Sequence, residues 1–225
     1  MASNNKITFH NGILSTFGRI YRLLRVFLQL VYGIIRISRA TVPMVTIFGG
    51  SRTVKTATTF EKAFELAEML VSHNISVLTG GGGGIMEAAS CGAKEKRTSN
   101  AKSIGIGVAN LDGEKNQCVD IYFSLDYFFA RKWLLINYSR AFVFFPGGFG
   151  TLDELFELLT LVQTRNFQQL PIVLIGTDYW VPLLSWMQNE LLKHQFVYES
   201  ELEFFIITDN IHEAFSIITK HCKEC

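Results

Sequence analysis

Short apolar runs and longer stretches of helical period alternate along most of this chain. The runs Met44–Phe48, Ile75–Leu78, Ser103–Val108, Ile121–Leu125, Ala141–Phe145, Pro171–Ile175 and Phe204–Ile207 each span four to six residues. That length suits buried strands better than helices. Between them, Thr53–His73 sets Phe60, Phe64, Leu66, Ala67 and Leu70 at helical spacing, with Asn74 placed to end the helix. Ile85–Lys96 predicts a second helix, and Asp126 is placed to cap a third that runs to Ser139. A fourth opens at Thr151, and Tyr179–Lys193 and Ile211–Lys220 supply two more. Strands separated by helices predict a parallel sheet covered on both faces, an α/β doubly wound domain of Rossmann-like type. Ligands of such sheets bind outside the carboxyl ends of the strands.

The segment ahead of the first strand has another character. In Ile13–Ala40 the arginines at 19, 22, 25, 36 and 39 fall on one face at about 100° per residue, with Gln29 among them. Leu, Ile, Val and Phe occupy the other face, so this is a basic amphipathic helix. Val26–Ile35 is too short to span a bilayer, which takes about 20 apolar residues, and Gln29 interrupts it. Arginines beyond the apolar part, with no small-residue cleavage site after them, argue against a secretory signal. Such a helix can make peripheral contact with an anionic membrane. The expectation is instead that its apolar face packs on the domain or on a second subunit, as most amphipathic helices do. Residues 1–12 are polar and expected to be loose. The chain thus divides into a tail and basic helix, 1–41, and one domain, 42–225.

Composition adds a few exclusions. At 225 residues the chain has the length for one α/β domain with a sizeable core. Hydrophobic residues make up 48% and charged residues 18%, which is globular rather than disordered. A net charge of +1 gives no argument for nucleic acid as a partner. The cysteines at 91, 118, 222 and 225 form no recognisable secreted framework, so a reducing cytoplasm is the expected compartment. Cys222 and Cys225 make a lone CxxC beside His221. A structural zinc site takes four ligands, and no second pair exists to complete it, so no metal is expected.

Chemistry concentrates in Ala141–Thr164, AFVFFPGGFGTLDELFELLTLVQT. A buried strand, a Gly-rich turn over Pro146–Gly150 and a helix start follow one another. The glycines allow positive φ and close ligand approach, and the helix N-terminus offers free N–H groups and partial positive charge to a phosphate. Asp153 and Glu154 add carboxylates in the first turn beside that anion site. Two more Gly-rich turns lie at strand ends: Gly49-Gly50-Ser51-Arg52, and the five glycines Gly80–Gly84. The second does not fit GxGxxG, because the last required glycine falls on Ile85, Met86 or Glu87; nor does a Walker lysine follow Gly84. NAD and ATP are therefore poor expectations, and the run remains a second anion-tolerant turn feeding a helix.

These residues also carry a resemblance. PGGFGTLDE, Pro146–Glu154, resembles the PGGxGTxxE signature of the LOG-type proteins, long labelled lysine decarboxylases. Thr79–Ala89, TGGGGGIMEAA, is similar to the GGGxGxMEAA element of the same family, and Gly49–Arg52 is similar to its first turn. Phe128–Lys132, FFARK, resembles its arginine–lysine segment, although Phe129 stands where the plant-type version has a histidine, a difference bearing on base preference. The resemblance runs in order and spacing over about residues 44 to 210.

The family implies a phosphoribohydrolase that cleaves the base from a nucleoside 5′-monophosphate without a cofactor, acting as a homodimer or larger assembly. Catalysis is then expected from Glu154 and Arg131. Substrate binding is expected from Lys132, Gly147, Gly148, Phe149, Gly150, Thr151, Asp153 and Thr160, from Gly81, Gly82, Gly83, Gly84 and Glu87, and from Ser51 and Arg52. Asp153 and Glu157 compete with Glu154 for the role of acid. A carboxylate there would stabilise an oxocarbenium-like ribose and orient the attacking water, while Arg131, with its planar fork, holds the carboxylate or the phosphate. Two other readings stay open, a non-catalytic nucleotide or cofactor carrier on the same fold and a membrane-associated protein organised by Ile13–Ala40. Amino-acid decarboxylation has no identifiable cofactor lysine behind it.

Overall fold

The computed structural model of the chain describes residues 12–95, 100–109 and 115–223. Seven strands form one all-parallel sheet: β1 (Met44–Phe48), β2 (Ser76–Thr79), β3 (Ser103–Val108), β4 (Ile121–Leu125), β5 (Ala141–Phe144), β6 (Ile172–Ile175) and β7 (Ile206–Thr208). Their order across the sheet is β4-β3-β2-β1-β5-β6-β7. The helices are α1 (Gly12–Ile37), α2 (Thr58–Ser72), α3 (Ile85–Glu95), α4 (Phe128–Asn137), α5 (Phe149–Gln163), α6 (Thr177–Trp186) and α7 (Ile211–Lys223). The expected doubly wound α/β fold is the one observed.

Strand alternation builds two cores. On β1 and β5, Met44, Phe48, Phe142 and Phe144 face α4, α5 and α6, while Val45, Ile47, Ala141 and Val143 face α2, α3 and α7. Phe48 stacks on Phe144 with ring centroids 4.7 Å apart. Each such buried ring contributes about 1.5–3 kcal/mol. Thr46, on the same face, is satisfied by donating to the Leu135 carbonyl at 2.9 Å. From β1 the chain builds outward to β4, then returns to lay β5 on the other side of β1. Crossovers on the two sides of that point diverge and open a crevice at the carboxyl ends of β1 and β5. Their register pairs Phe48 with Phe144, so both turns leave the sheet at the same level.

Several boundaries differ from expectation, each for a local reason. α2 starts at Thr58 rather than Thr53, because Thr53 bonds back to the Gly50 carbonyl through both its backbone N–H and its hydroxyl. Asp126 does not cap α4. Tyr127 holds that position, and the Asp126 carboxylate pairs with Arg25 of α1 while its N–H donates to Gln29 Oε1 at 2.9 Å. α5 opens at Phe149, two residues ahead of Thr151, with Gly148 as its N-cap. α6 carries Pro182 and passes into a π-helical segment, Met187–Leu192. β7 lies two residues later than Phe204, and Phe205 is buried just ahead of it. The polar tail over 1–11, the predicted helix end at Lys96 and Cys225 of the CxxC lie outside the described residues.

The N-terminal helix departs most from expectation. α1 docks on α4 and β4 through one side only, where Leu30, Ile34 and Ile37 join the core and Gly33 lies against Leu134. Arg36 donates to the Tyr122 carbonyl at 3.1 Å on that side. The broad apolar face made by Ile20, Leu23, Leu24, Phe27, Leu28 and Ile35 does not pack on the domain; each of these is more than half exposed. No helix among the described residues is long and apolar enough to cross a membrane.

Candidate active site at the carboxyl ends of the strands

Three turns meet where β1, β2 and β5 end. The Gly50 N–H donates to the Pro146 carbonyl at 3.0 Å, and the Gly50 carbonyl accepts from Ile85 N–H at 3.1 Å. Glycine is required at these crossings. A Cβ on Gly84 would lie 2.2 Å from the Gly50 carbonyl oxygen, and one on Gly147 would lie 2.1 Å from Thr151 Oγ1. Above the junction opens a cavity of about 1090 Å³, ample for a nucleotide. Ser51 and Arg52 line it from the first turn, Gly81–Gly83 from the second and Gly147–Thr151 from the third. α4 contributes Phe128 and Arg131, and α5 contributes Glu154.

The positive φ that the Pro146–Gly150 glycines allow is not used there; the glycines that adopt it are Gly81 (73°), Gly84 (63°) and Gly176 (109°). Gly148 is extended, with φ −95° and ψ −158°. A Cβ on Gly148 or Gly150 would meet nothing within 4 Å. Packing inside the chain therefore does not require glycine at either position, and what the missing side chains leave is room against the backbone. Leu152 N–H makes the first intrahelical bond of α5, to the Gly148 carbonyl at 3.1 Å. The amides of Phe149, Gly150 and Thr151 precede it, as the orphan donors of a helix start do. Among the described residues no carboxylate occupies this cap, so the positive end of α5 is open to an outside anion.

Glu154 sits one turn further in and is buried, with Arg131 Nη2 donating to its Oε1 at 3.2 Å. Burial raises its pKa from 4.5 to about 7, an effect that Arg131 and Lys132 oppose and that Asp153 and Glu157 reinforce. Desolvation thus outweighs the ion pair, leaving a carboxyl that changes charge near neutrality. Arg131 lies above the Phe128 ring at 5.4 Å and beneath Gly80, where a Cβ would meet its guanidinium at 2.6 Å. Its Nε is buried without a partner among the described residues. Lys132, next in sequence, turns to the other side, 2.9 Å from Asp153 Oδ2 and 2.6 Å from Glu157 Oε2. Burial works against its charge, but the bonds to Glu157 and Asp153 prevail and raise its pKa. The two other acids near Glu154 are therefore engaged by Lys132.

Of the sequence-predicted residues, Lys132, Asp153, Gly84, Glu87 and Thr160 do not line the cavity. Lys132 and Asp153 stand behind Glu154, and Gly84 lies under the first turn. Glu87 pairs with Lys55 at 2.9 Å. Thr160 is on the exposed side of α5, its hydroxyl bonded to the Phe156 carbonyl. Sequence reading missed one wall altogether. Tyr122 of β4 fills the space left by Gly105 and Gly107, with Lys115 5.6 Å above its ring, and both side chains line the cavity. Gly105-Ile106-Gly107 was the available signal, since two glycines on one strand face leave a slot for a neighbour. Beside this wall, buried Asn116 holds the glycine run: its N–H donates to the Gly81 carbonyl at 3.0 Å and its Nδ2 to the Gly82 carbonyl at 2.9 Å. A disulfide between Cys91 of α3 and Cys118 ties that segment down, a pairing that sequence spacing did not disclose.

Known proteins resemble the chain along most of its length. The family model described as "possible lysine decarboxylase" matches residues 86–218, from the start of α3 to α7. A probable cytokinin riboside 5′-monophosphate phosphoribohydrolase of Oryza sativa subsp. japonica is 25% identical over 193 residues, covering 81% of this chain and 79% of its own. A cytokinin riboside 5′-monophosphate phosphoribohydrolase of Arabidopsis thaliana is 30% identical over 156 residues, 64% of this chain and 67% of its own. Among solved structures, the molybdenum cofactor binding protein of Rippkaea orientalis superposes with a TM-score of 0.60 at 23% identity, covering 80% of this chain and 96% of that one, a likeness of fold. With the model spanning more than half of the chain and the PGGFGTLDE turn seated at its cavity, this chain belongs to the LOG-type family of possible lysine decarboxylases.

Proposed function

We propose that the chain hydrolyses the N-glycosidic bond of nucleoside 5′-monophosphates, of the AMP or cytokinin riboside monophosphate type, to free base and ribose 5-phosphate. The observation that carries this reading is a buried carboxyl, Glu154, paired with Arg131 one turn inside the open N-terminus of α5. The 5′-phosphate binds at the amides of Gly148–Thr151, with Ser51 and Arg52 opposite. That anchor places the ribose over Glu154 and turns remote binding energy into orientation at C1′. As the C1′–N bond breaks, the ionised Glu154 faces the positive charge developing on the ribose and accepts a proton from the attacking water. The water oxygen joins C1′, and a proton ends on the departing base nitrogen. Arg131 holds the carboxylate in place with a fork that lysine lacks.

The relatives named for this reaction support the reading. The family's older label fits the site less well. A Schiff-base lysine works as a neutral amine with a lowered pKa, whereas Lys132 is held charged by two carboxylates. We further propose that the chain works as a homodimer or larger assembly; Phe129, Trp133 and Phe149, all exposed around the cavity mouth and α4, are surfaces a second copy could cover. The Cys91–Cys118 disulfide removes the ground on which the cysteine pattern pointed to a reducing cytoplasm.

Chromatography of purified protein with AMP and other nucleoside monophosphates tests the reaction. Wild type should release free base, and Glu154→Gln should lower release by about 10²–10⁴-fold while still binding the nucleotide. Saturable binding with no release by the wild type would make the protein a carrier instead.

A further inference from the structure

We infer that α1 is a docking element for an anionic lipid surface, on which the helix lies in the plane of the interface with the catalytic domain above it. Three observations on different levels point the same way. The first is exposure. Ile20, Leu23, Leu24, Phe27, Leu28 and Ile35 are each 53–68% exposed and stand on one side of the helix, with Tyr21 and Tyr32 at its border. Single exposed apolar residues need no explanation, but a contiguous apolar ridge of this size marks an interaction site.

The second observation is how the helix is held. Only its second half is covered: Gln29 and Arg36 bond to the β4–α4 region, Leu30, Ile34 and Ile37 enter the core, and the whole of 19–25 is exposed. The domain thus fixes the helix by a side that adjoins the apolar ridge and leaves most of that ridge facing outward, its first half overhanging. A helix placed only for packing would turn the ridge inward.

The third observation is charge, which selects the occupant. The first 40 residues carry six Lys and Arg and no Asp or Glu, and the first acid of the chain is Glu61. The rest of the chain has 15 basic against 20 acidic residues and nets −5, so the near-neutral total hides a strongly basic leading segment. Arg19, Arg22 and Arg39 have no ion-pair partner among the described residues. At about 100° per residue, Arg19 falls on a border of the ridge, and Arg39 lies in the turn just past the end of α1. Arginines there reach the headgroup level while the ridge enters the acyl boundary. Two copies packed ridge to ridge would instead bring two unneutralised basic helices together, a like-charge contact that costs affinity. An anionic bilayer satisfies both the apolar area and the charge.

The test is co-flotation of the full chain with phosphatidylcholine vesicles, with and without phosphatidylglycerol, at low and high salt. Binding should require phosphatidylglycerol and weaken in salt. The doubly substituted Leu24→Asp/Phe27→Asp protein should lose it while keeping its circular dichroism spectrum and its turnover of soluble nucleotide. Arg19→Ala and Arg22→Ala should each weaken partitioning about fivefold. Absence of binding, or equal binding to neutral vesicles, would overturn the inference. So would sedimentation showing that the Asp substitutions dissociate an oligomer while vesicle binding is unchanged, since the ridge would then belong to a second copy. Of these readouts only turnover rests on the hydrolase reading; flotation, sedimentation and circular dichroism stand without it.

Discussion

Glu154 Oε1 lies 3.2 Å from Arg131 Nη2, yet the carboxyl it belongs to titrates near pH 7. An exposed pair at this distance would keep the glutamate ionised well into acid. Here both side chains are nearly shut off from water, at 8% and 12% exposure, and the loss of hydration outweighs the attraction. A carboxyl poised this way is unsuited to a purely structural ion pair and well suited to proton transfer near neutrality.

One consequence is kinetic. If the ionised form of Glu154 receives the water proton, kcat/KM for AMP should rise with pH, bend at about 7 and stay level above it. That profile reports the free enzyme. A flat profile from pH 6 to 8 would remove Glu154 from the proton-transferring role.

The same group sets a stability trend of opposite sign. Its folded pKa of about 7 lies above the ordinary 4.5, so between these values the folded chain binds more protons than the unfolded chain. The stabilisation is complete below about 4.5 and is lost as pH rises through 7, a change on the order of 3 kcal/mol. Glu154→Gln does not titrate and should escape it. Denaturant unfolding at pH 5 and pH 8.5 should therefore show the variant gaining on the wild type at the higher pH. Equal differences at both pH values would show that Glu154 keeps its ordinary pKa in the folded chain.

Glycines of the site should divide into two kinds. Gly150→Ala adds a methyl to open space in the first turn of α5, so stability should hold or improve by up to about 1 kcal/mol. The methyl would stand where the phosphate approaches, and KM for AMP should rise at least about tenfold, the effect of losing about 1.4 kcal/mol of binding. Gly84→Ala places its methyl 2.2 Å from the Gly50 oxygen at φ +63°, and should cost more than about 2 kcal/mol of stability. Thermal unfolding beside steady-state kinetics separates the two. A Gly150→Ala protein with unchanged KM would move the phosphate away from α5.

What could be read from the chain in advance follows how local each signal is. The strands were legible because runs such as Met44–Phe48 are buried on both faces, where all positions but Thr46 are apolar. Glu154 and Arg131 were reached through motifs that lie whole on one turn or helix. Helix starts were read less well: Asp126 has the side chain of an N-cap, but α1, nearly a hundred residues earlier, supplies Arg25 and Gln29 to it. Thr160 was expected in the site through the family resemblance alone, six residues past the PGGFGTLDE motif, yet its turn of α5 points it to solvent. The Tyr122 and Lys115 wall and the Cys91–Cys118 bond come from pairing of β3 with β4 and packing of α3, contacts with no short-range signature. The orientation of α1 was hardest, since the sequence shows one apolar face expected to pack inward, and the fold instead covers Leu30, Ile34 and Ile37 and leaves Ile20, Leu23, Leu24, Phe27, Leu28 and Ile35 exposed.

Asn116 supplies the last prediction. Its backbone and side chain hold the Gly81 and Gly82 carbonyls, its Oδ1 accepts from the Cys118 N–H at 3.2 Å, and Cys118 is bonded to Cys91 of the helix that begins just beyond those glycines. The disulfide closes a loop between residues 27 apart, a constraint worth about 3 kcal/mol against the reduced unfolded chain. Reduction should therefore lower stability, raise the titratable thiol count by two and loosen the wall that Lys115 and Tyr122 form. Nucleotide affinity of the Glu154→Gln protein, measured by calorimetry with and without dithiothreitol, should fall severalfold on reduction, and Asn116→Ala should reproduce the loss in oxidised protein. Unchanged affinity in both would mean that the glycine run keeps its shape without the tether. A fall on reduction that Asn116→Ala does not reproduce would place the coupling in Lys115 or Tyr122 rather than in the carbonyls that Asn116 holds.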